Sequence, residues 1–379
     1  MTSPLTILGI ALVGALTVTE FVRVVAVRMR VVDEPGGRRV HRRPTPRLGG
    51  IGIVWGFLCS IGWVALLTGG AGPFAGQGAL VLGLLVAALG MALLGQMDDR
   101  WSLPATAKLA VGIGAALVLW GTGWRLETVG LPGVGAWSLG MWSLPATVAW
   151  VVLVTNAVNL VDGLDGLAGG VGFLVCVGLL ALPGLGATER TLALALAGAV
   201  LGFLWFNLHP ALIFMGDAGS LFLGVMLAAL TLRVPESAVP GAFPLVPLLL
   251  LIVPLGDTSH AIVRRSWAAL REAPSFASAV RSLPRRVFAP DRGHVHHRLQ
   301  DLGLSPRRAA GVLWLVTVSA VLLAASWART PLAGLLATLA VGSLWGWGVL
   351  AVVSRRVRAG RASSAATAQE GARESARAA

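Results

Sequence analysis

Residues 77–100 read Gln77-Gly-Ala-Leu-Val-Leu-Gly-Leu-Leu-Val-Ala-Ala-Leu-Gly-Met-Ala-Leu-Leu-Gly-Gln96-Met97-Asp98-Asp99-Arg100. From Gln77 to Met97 there is no charge, and that length matches the roughly 20 residues a helix needs to cross a bilayer. The run then stops abruptly on two acids and an arginine, so one of its ends is wet. Similar runs recur along the chain, and the approximate spans are 4–27, 48–69, 77–97, 104–123, 143–161, 166–184, 190–208, 216–233, 242–262, 309–328 and 331–353. The 379 residues are 56% hydrophobic and 12% charged, more apolar surface than a water-soluble core can bury. Helices satisfy their own backbone in lipid, which open strands cannot. The expected fold is therefore an all-α, polytopic transmembrane bundle of about 11 spans.

Short cytoplasmic loops collect Lys and Arg. The rich loops follow odd-numbered spans: Arg28, Arg30, Arg38, Arg39, Arg42, Arg43 and Arg47 after the first, and Arg264 through Arg308 after the ninth. Only Arg125, Arg190, Arg233 and Arg329 fall on the other side. The N terminus is then expected outside and the C terminus in the cytoplasm, with the protein in the plasma (inner) membrane. The net charge of +13 is explained by this loop bias, with no nucleic-acid motif beside it, so anionic lipids and anionic substrates are the expected partners. Cys59 and Cys176 lie mid-span and form no metal or disulfide pattern. The first span exceeds a signal core and has no preceding positive residue, so a permanent helix is expected. The membrane domain is read as residues 1–353, and the Ala, Ser, Arg and Glu-rich stretch 354–379 as a disordered cytoplasmic tail.

Of the 17 acidic residues, Asp98, Asp99, Asp162, Asp165, Asp217 and Asp257 all sit at span ends assigned to the cytoplasm. Any one of them has a structural reading as a helix cap. Together they point to a site, because ionisable groups at membrane depth are costly and serve substrate or ion paths. Asp98-Asp99 suits cation holding or proton removal from a phosphate. Lys108, the sole lysine, lies about two and a half turns beyond and either meets phosphate or snorkels to headgroups. In Asn156-Ala-Val-Asn159-Leu-Val-Asp162-Gly-Leu-Asp165-Gly166 the three-residue period drifts about 60° per step on a helix, so Gly163 and Gly166 are expected to break it and gather the polar groups round a ligand. Phe214-Met215-Gly216-Asp217-Ala218-Gly219-Ser220 offers bare amides and an acid at a helix start, a layout for phosphate and cation. His294-Val-His296-His297-Arg298 lacks a spaced fourth zinc ligand and better suits a diphosphate.

Taken in order, the His41-Arg-Arg-Pro-Thr-Pro-Arg47-Leu-Gly49-Gly50 loop, the Asp98-Asp99 pair, Asn156 to Gly166, Phe214 to Ser220 and His294 to Arg298 resemble the polyprenyl-phosphate N-acetylhexosamine-1-phosphate transferases, which include the phospho-N-acetylmuramoyl-pentapeptide transferases. The likeness runs from Asp33 to about Val353. It implies transfer of a sugar 1-phosphate from a UDP-sugar to a polyprenyl phosphate, with release of UMP, the first membrane step of a cell-envelope glycan pathway. It implies Mg²⁺, for which Mn²⁺ can substitute, with Asp217 and Asn156 as metal ligands. Asp98 is the implied base toward the lipid phosphate, with Asp99 and Lys108 as further catalytic groups. Asn156, Asn159, Asp162 and Asp165 are implied at the nucleotide, and Arg47, His294, His296, His297 and Arg298 on the donor side.

Two departures select a branch. The muramoyl-pentapeptide enzymes carry a Pro-x-His-His-His type of cluster and a Thr-Pro-Thr-Met-Gly-Gly loop, where this chain has His294-Val-His296-His297-Arg298 and Pro-Thr-Pro-Arg-Leu-Gly-Gly. The likeness is greater to the branch that starts O-antigen, teichoic acid or arabinogalactan-linker synthesis, which makes UDP-N-acetylglucosamine the expected donor. A secondary transporter would place its acids at the midplane of repeated halves. A CDP-alcohol phosphotransferase would continue Asp-Gly with Ala-Arg and further acids, where Leu167-Ala-Gly-Gly170 stands here. Pro244, Pro247 and Pro254 should bend the ninth span and open an apolar groove for the prenyl chain. The oligomeric state stays open, a homodimer among the options.

Overall fold

The structure is a computed structural model that describes residues 3–30, 32, 44–131, 135–234, 244–272, 278, 293–330, 333–334 and 336–342. The basic positions 38–43, Asp291, Arg292, residues 343–353 of the eleventh expected span and the 354–379 tail lie outside the described residues.

Twelve helices carry the description: α1 Pro4–Arg28, α2 Gly50–Thr68, α3 Gly78–Trp101, α4 Ala105–Thr122, α5 Ser143–Val161, α6 Leu167–Ala181, α7 Ala187–Asn207, α8 Gly216–Leu232, α9 Leu245–Leu250, α10 Ile252–Glu272, α11 Val295–Asp301 and α12 Pro306–Trp327. Seven helical stretches among the described residues have the length and composition to cross a membrane, and α6 and α8 are apolar but shorter. The chain is a multi-pass helical membrane protein.

Its core is α8. Every residue from Ala218 to Leu232 is buried, sheathed chiefly by α3 and α5, with α2 and α6 beside them. Lipid is as apolar as leucine, so helices in it associate by close packing of small residues. Gly198 and Gly202 of α7 lie against the Leu8 and Leu12 carbonyls of α1, and Gly56 of α2 lies against Ala11 and Ala15 of the same helix. Polar pins add to this: Ser60 Oγ donates to the Ile7 carbonyl at 2.7 Å, and Trp150 Nε1 to Thr231 Oγ1 at 3.2 Å.

Two expectations need correction. The fold is not purely α, because β1 Thr128–Leu131 pairs antiparallel with β2 Gly135–Ser138 between α4 and α5. This short β-branched and aromatic stretch lies between spans, where water satisfies the outer edges of a two-stranded ribbon. The ninth span, expected over 242–262, is two helices with a break at Leu251, the second running on to Glu272. Pro254 has no N–H to offer the Leu250 carbonyl, so the ladder is interrupted there. Along the break, Leu245, Leu248, Leu249, Ile252, Leu255, Gly256 and Ser259 line an open, apolar groove of about 280 Å³.

Candidate active site at the shared helix ends

Antiparallel neighbours joined by short turns put the C-terminal ends of α3, α5 and α7 beside the N-terminal ends of α4, α6 and α8. The acids noted above therefore meet at one end of the bundle. Close approach is possible because Gly95 of α3 faces the Asp217 backbone with no side chain between them.

Asp98 ends α3 as a buried acid. One carboxylate oxygen accepts the Leu103 N–H at 2.7 Å, which shapes the turn into α4, and the other pairs with Lys108 Nζ. Lys108 reaches on to Asp217 Oδ2 at 3.5 Å. The other oxygen of Asp217 accepts from Asn159 Nδ2 at 3.2 Å, and the same amide bonds Ser220 Oγ at 2.8 Å. Lys108 Nζ therefore stands between the Asp98 and Asp217 carboxylates.

Asp99 points the other way. Its carboxylate accepts the N–H groups of Asp217 and Ala218, at 3.1 and 3.4 Å, at the first turn of α8. A carboxylate at a helix start satisfies orphan donors and meets the positive end of the dipole. Asp99 thus caps α8 from a different helix and holds Asp217 in place, where sequence had grouped it with Asp98.

Asn156 differs from its expected place as well. Its Nδ2 donates to the Val152 carbonyl of its own helix at 2.7 Å, and its exposed side chain leaves Asn159 as the α5 amide that touches Asp217. Asp162 follows directly on α5. Burial, reinforced by the negative charges of Asp217 and Asp99 and partly offset by Arg47, pushes its carboxyl up to about 7. Asp165 accepts from His209 Nδ1 at 2.7 Å and from the Ala211 N–H at 3.1 Å. Asn207, to which sequence assigned no role, accepts the Gly166 N–H through Oδ1 and donates through Nδ2 to the Ile213 carbonyl, both at 2.9 Å. It ties the α5–α6 turn to the strand of chain that enters α8.

The Arg47 loop joins the same entry by backbone bonds: Phe214 N–H to Pro46 O, Gly49 N–H to Phe214 O and Gly50 N–H to Met215 O, at 2.8, 2.9 and 2.9 Å. The histidine cluster starts α11. His294 and His296 are buried, His297 is half-buried with its ring 4.3 Å from that of His296, and Arg298 is exposed. Burial, together with the neighbouring charge of His297, holds His296 down to about 4. Asp257 of α10, recognised in sequence only as one more acid at a span end, bonds His294.

The donor chemistry fits a hard divalent cation. Mg²⁺ takes one or two carboxylates and completes its shell with phosphate and water, and the half-buried Asp217 carboxylate beside the Asn159 amide offers such a ligand. Among the described residues no group of three or more His, Cys, Asp or Glu forms a ready cage. A cation held here takes its remaining ligands from a bound phosphate or water.

Residues 81–234 match the family described as glycosyl transferase family 4. A Bacillus subtilis protein named as a probable undecaprenyl-phosphate N-acetylglucosaminyl 1-phosphate transferase is 34% identical over 321 residues, covering 83% of each chain. A Mycolicibacterium smegmatis decaprenyl-phosphate N-acetylglucosaminephosphotransferase is 38% identical over 78% of this chain and 75% of its own. A Synechococcus phospho-N-acetylmuramoyl-pentapeptide-transferase is 39% identical over 60% of this chain and 67% of its own.

Proposed function

The chain belongs to glycosyl transferase family 4, and on that premise we propose that it transfers N-acetylglucosamine 1-phosphate from its UDP donor to a polyprenyl phosphate, releasing UMP. The observation that carries the reading is the Asp98–Lys108–Asp217–Asn159 network at one end of the bundle, in a protein that also opens an apolar groove along α9 and α10. A polar end built for phosphate and a groove built for hydrocarbon are what an amphiphilic acceptor requires. The preference for N-acetylglucosamine over the muramoyl-pentapeptide is supported by coverage, 83% of this chain against 60%.

The chemical problem is to bring two anions together. Asp217 would hold Mg²⁺, or Mn²⁺ in its place, with Asn159 orienting its carboxylate and Asp99 fixing the turn that carries it. The cation supplies charge neutralisation for the diphosphate and the departing UMP. Asp98 takes the proton of the lipid phosphate, and Lys108 keeps both carboxylates near the reacting phosphates. A lipid phosphate oxygen then forms a bond to the sugar-bearing phosphorus as its bond to the UMP oxygen breaks, a single displacement that depends mainly on positioning. Arg47, Asp162, Asp165, His297 and Arg298 are assigned to the UDP-sugar side, with His294 and His296 behind them. Asn156, turned to its own helix, has a lesser claim to the metal than Asn159.

The hydropathy pattern is the ground for about 11 spans, and the arginine distribution supports an N terminus outside and the site on the cytoplasmic face of the plasma membrane. The test is purified protein with Mg²⁺, undecaprenyl phosphate and a panel of UDP-sugars, scored by UMP release. UDP-N-acetylglucosamine should give the fastest release, and Asp217→Asn should abolish it. No release with any donor, beside an active control enzyme, contradicts the reading.

A further inference from the structure

Asp257 sits on α10, whose other residues Ile252, Leu255, Gly256 and Ser259 line the groove, yet it is itself only 4% exposed. Its Oδ2 lies 3.0 Å from His294 Nδ1 and its Oδ1 accepts the Val295 N–H at 2.7 Å. An ionised carboxylate only accepts, so His294 Nδ1 is the donor in this bond. His296 Nδ1 lies 4.0 Å from the same oxygen, and the His294 and His296 rings stack at 5.8 Å and 12°. At 6% and 3% exposure these two rings are packed away from solvent, unlike His297 and Arg298. The far edge of His296 backs the α5–α6 turn, where a β-carbon on Gly163 would stand 2.5 Å from His296 Nε2.

We propose that Asp257 is a positioning residue: through His294 and His296 it forms a buried clasp that braces the Gly163 peptide and so sets the place of Asp162. The groove helix and the donor-side turn are then joined by one chain of contacts, α10 to Asp257 to His294 and His296 to Gly163. Within the histidine cluster the labour divides, with His294 and His296 bracing and His297 and Arg298 turned outward.

Two measurements test the clasp in the intact protein. Asp257→Asn should speed hydrogen exchange in residues 160–167 at least about tenfold while leaving residues 50–60 of α2 unchanged. It should also raise KM for UDP-N-acetylglucosamine about tenfold, the scale of one lost charge-assisted hydrogen bond, with KM for undecaprenyl phosphate within about twofold of wild type. Gly163→Ala, which pushes on His296 from the opposite side, should reproduce both effects, and the double variant should be no worse than the poorer single one. Unchanged exchange at 160–167, additive losses, or equal rises in both KM values overturn the proposal. If Asp257→Asn does not fold, exchange in Gly163→Ala decides it. The kinetic arm rests on the transferase reading above, whereas the exchange arm does not, so an inactive wild type would defeat that reading and leave the clasp to be judged on exchange alone.

Discussion

Asp99 gives its carboxylate to backbone amides 118 and 119 positions along the chain, whereas Asp98, beside it, meets the Lys108 ammonium. Adjacent helical residues point about 100° apart, so one pair of acids serves two purposes. Asp99→Ala should lower the thermal midpoint, since losing a cap costs about 1 kcal/mol, and should lower activity in step with the loosened α8 turn. Asp98→Asn should reduce kcat at least about 100-fold, as loss of a proton acceptor does, far beyond what the destabilisation from its lost pairing with Lys108 explains. Thermal unfolding and UMP release on the two variants separate the roles. His296 sets a pH limit. Its pKa is about 4 in the folded chain against an ordinary value of 6.5, so the unfolded state takes up a proton that the folded state refuses between those values. The stability tied to the neutral ring is fully present above pH 6.5 and is lost as pH falls toward 4. Thermal midpoints measured across that window should fall, and the slope should flatten in His296→Gln. Asp98 as proton acceptor was an expectation from sequence, whereas the cap that Asp99 makes and the burial of His296 were not open to it. Asn156 and Asn159 are equally polar letters, and only the packing of α5 on α8 shows that Asn159 is the one that touches Asp217.

The helices themselves were more readable, because the length of an uncharged run is a direct measure of bilayer thickness. Spans expected over 48–69, 77–97 and 143–161 appear as Gly50–Thr68, Gly78–Trp101 and Ser143–Val161. Legibility fails where hydropathy and hydrogen bonding part company. The prolines of the ninth span announced a bend, but not that the chain would restart at Ile252 and carry Arg264 and Arg271 onward to Glu272. The pairing of β1 with β2 was missed because four-residue strands leave almost no periodic signal. The groove along the break yields an element-scale prediction. Leu248→Trp, at a half-exposed wall position, should raise KM for undecaprenyl phosphate about tenfold or more while KM for the UDP-sugar holds, as expected when a bulky ring occupies a site for hydrocarbon. A variant that weakened both substrates equally would place the prenyl chain elsewhere.

For the whole molecule, alternation does most of the organising. Because α3 to α8 run alternately up and down, acids spaced from position 98 to position 217 reach one end of the bundle without any long loop having to carry them there. That convergence was visible in sequence as a set of span ends on one side, while the bonds joining them were not, since partners such as Asp98 and Asp217 are fixed by the crossing of α3 on α8. If the arginine bias sets the orientation, a single cysteine at Arg298 in an otherwise cysteine-free chain should react with an impermeant maleimide only when the cytoplasmic face is open. The most direct measurement of the central claim uses UDP-N-acetylglucosamine labelled separately at its two phosphorus atoms, with Mg²⁺ and undecaprenyl phosphate. Label at the sugar-bearing phosphorus should pass to the lipid and label at the other should leave in UMP, with Asp217→Asn moving neither. Recovery of the sugar-bearing phosphorus in a water-soluble product, with the lipid unlabelled, would contradict the account.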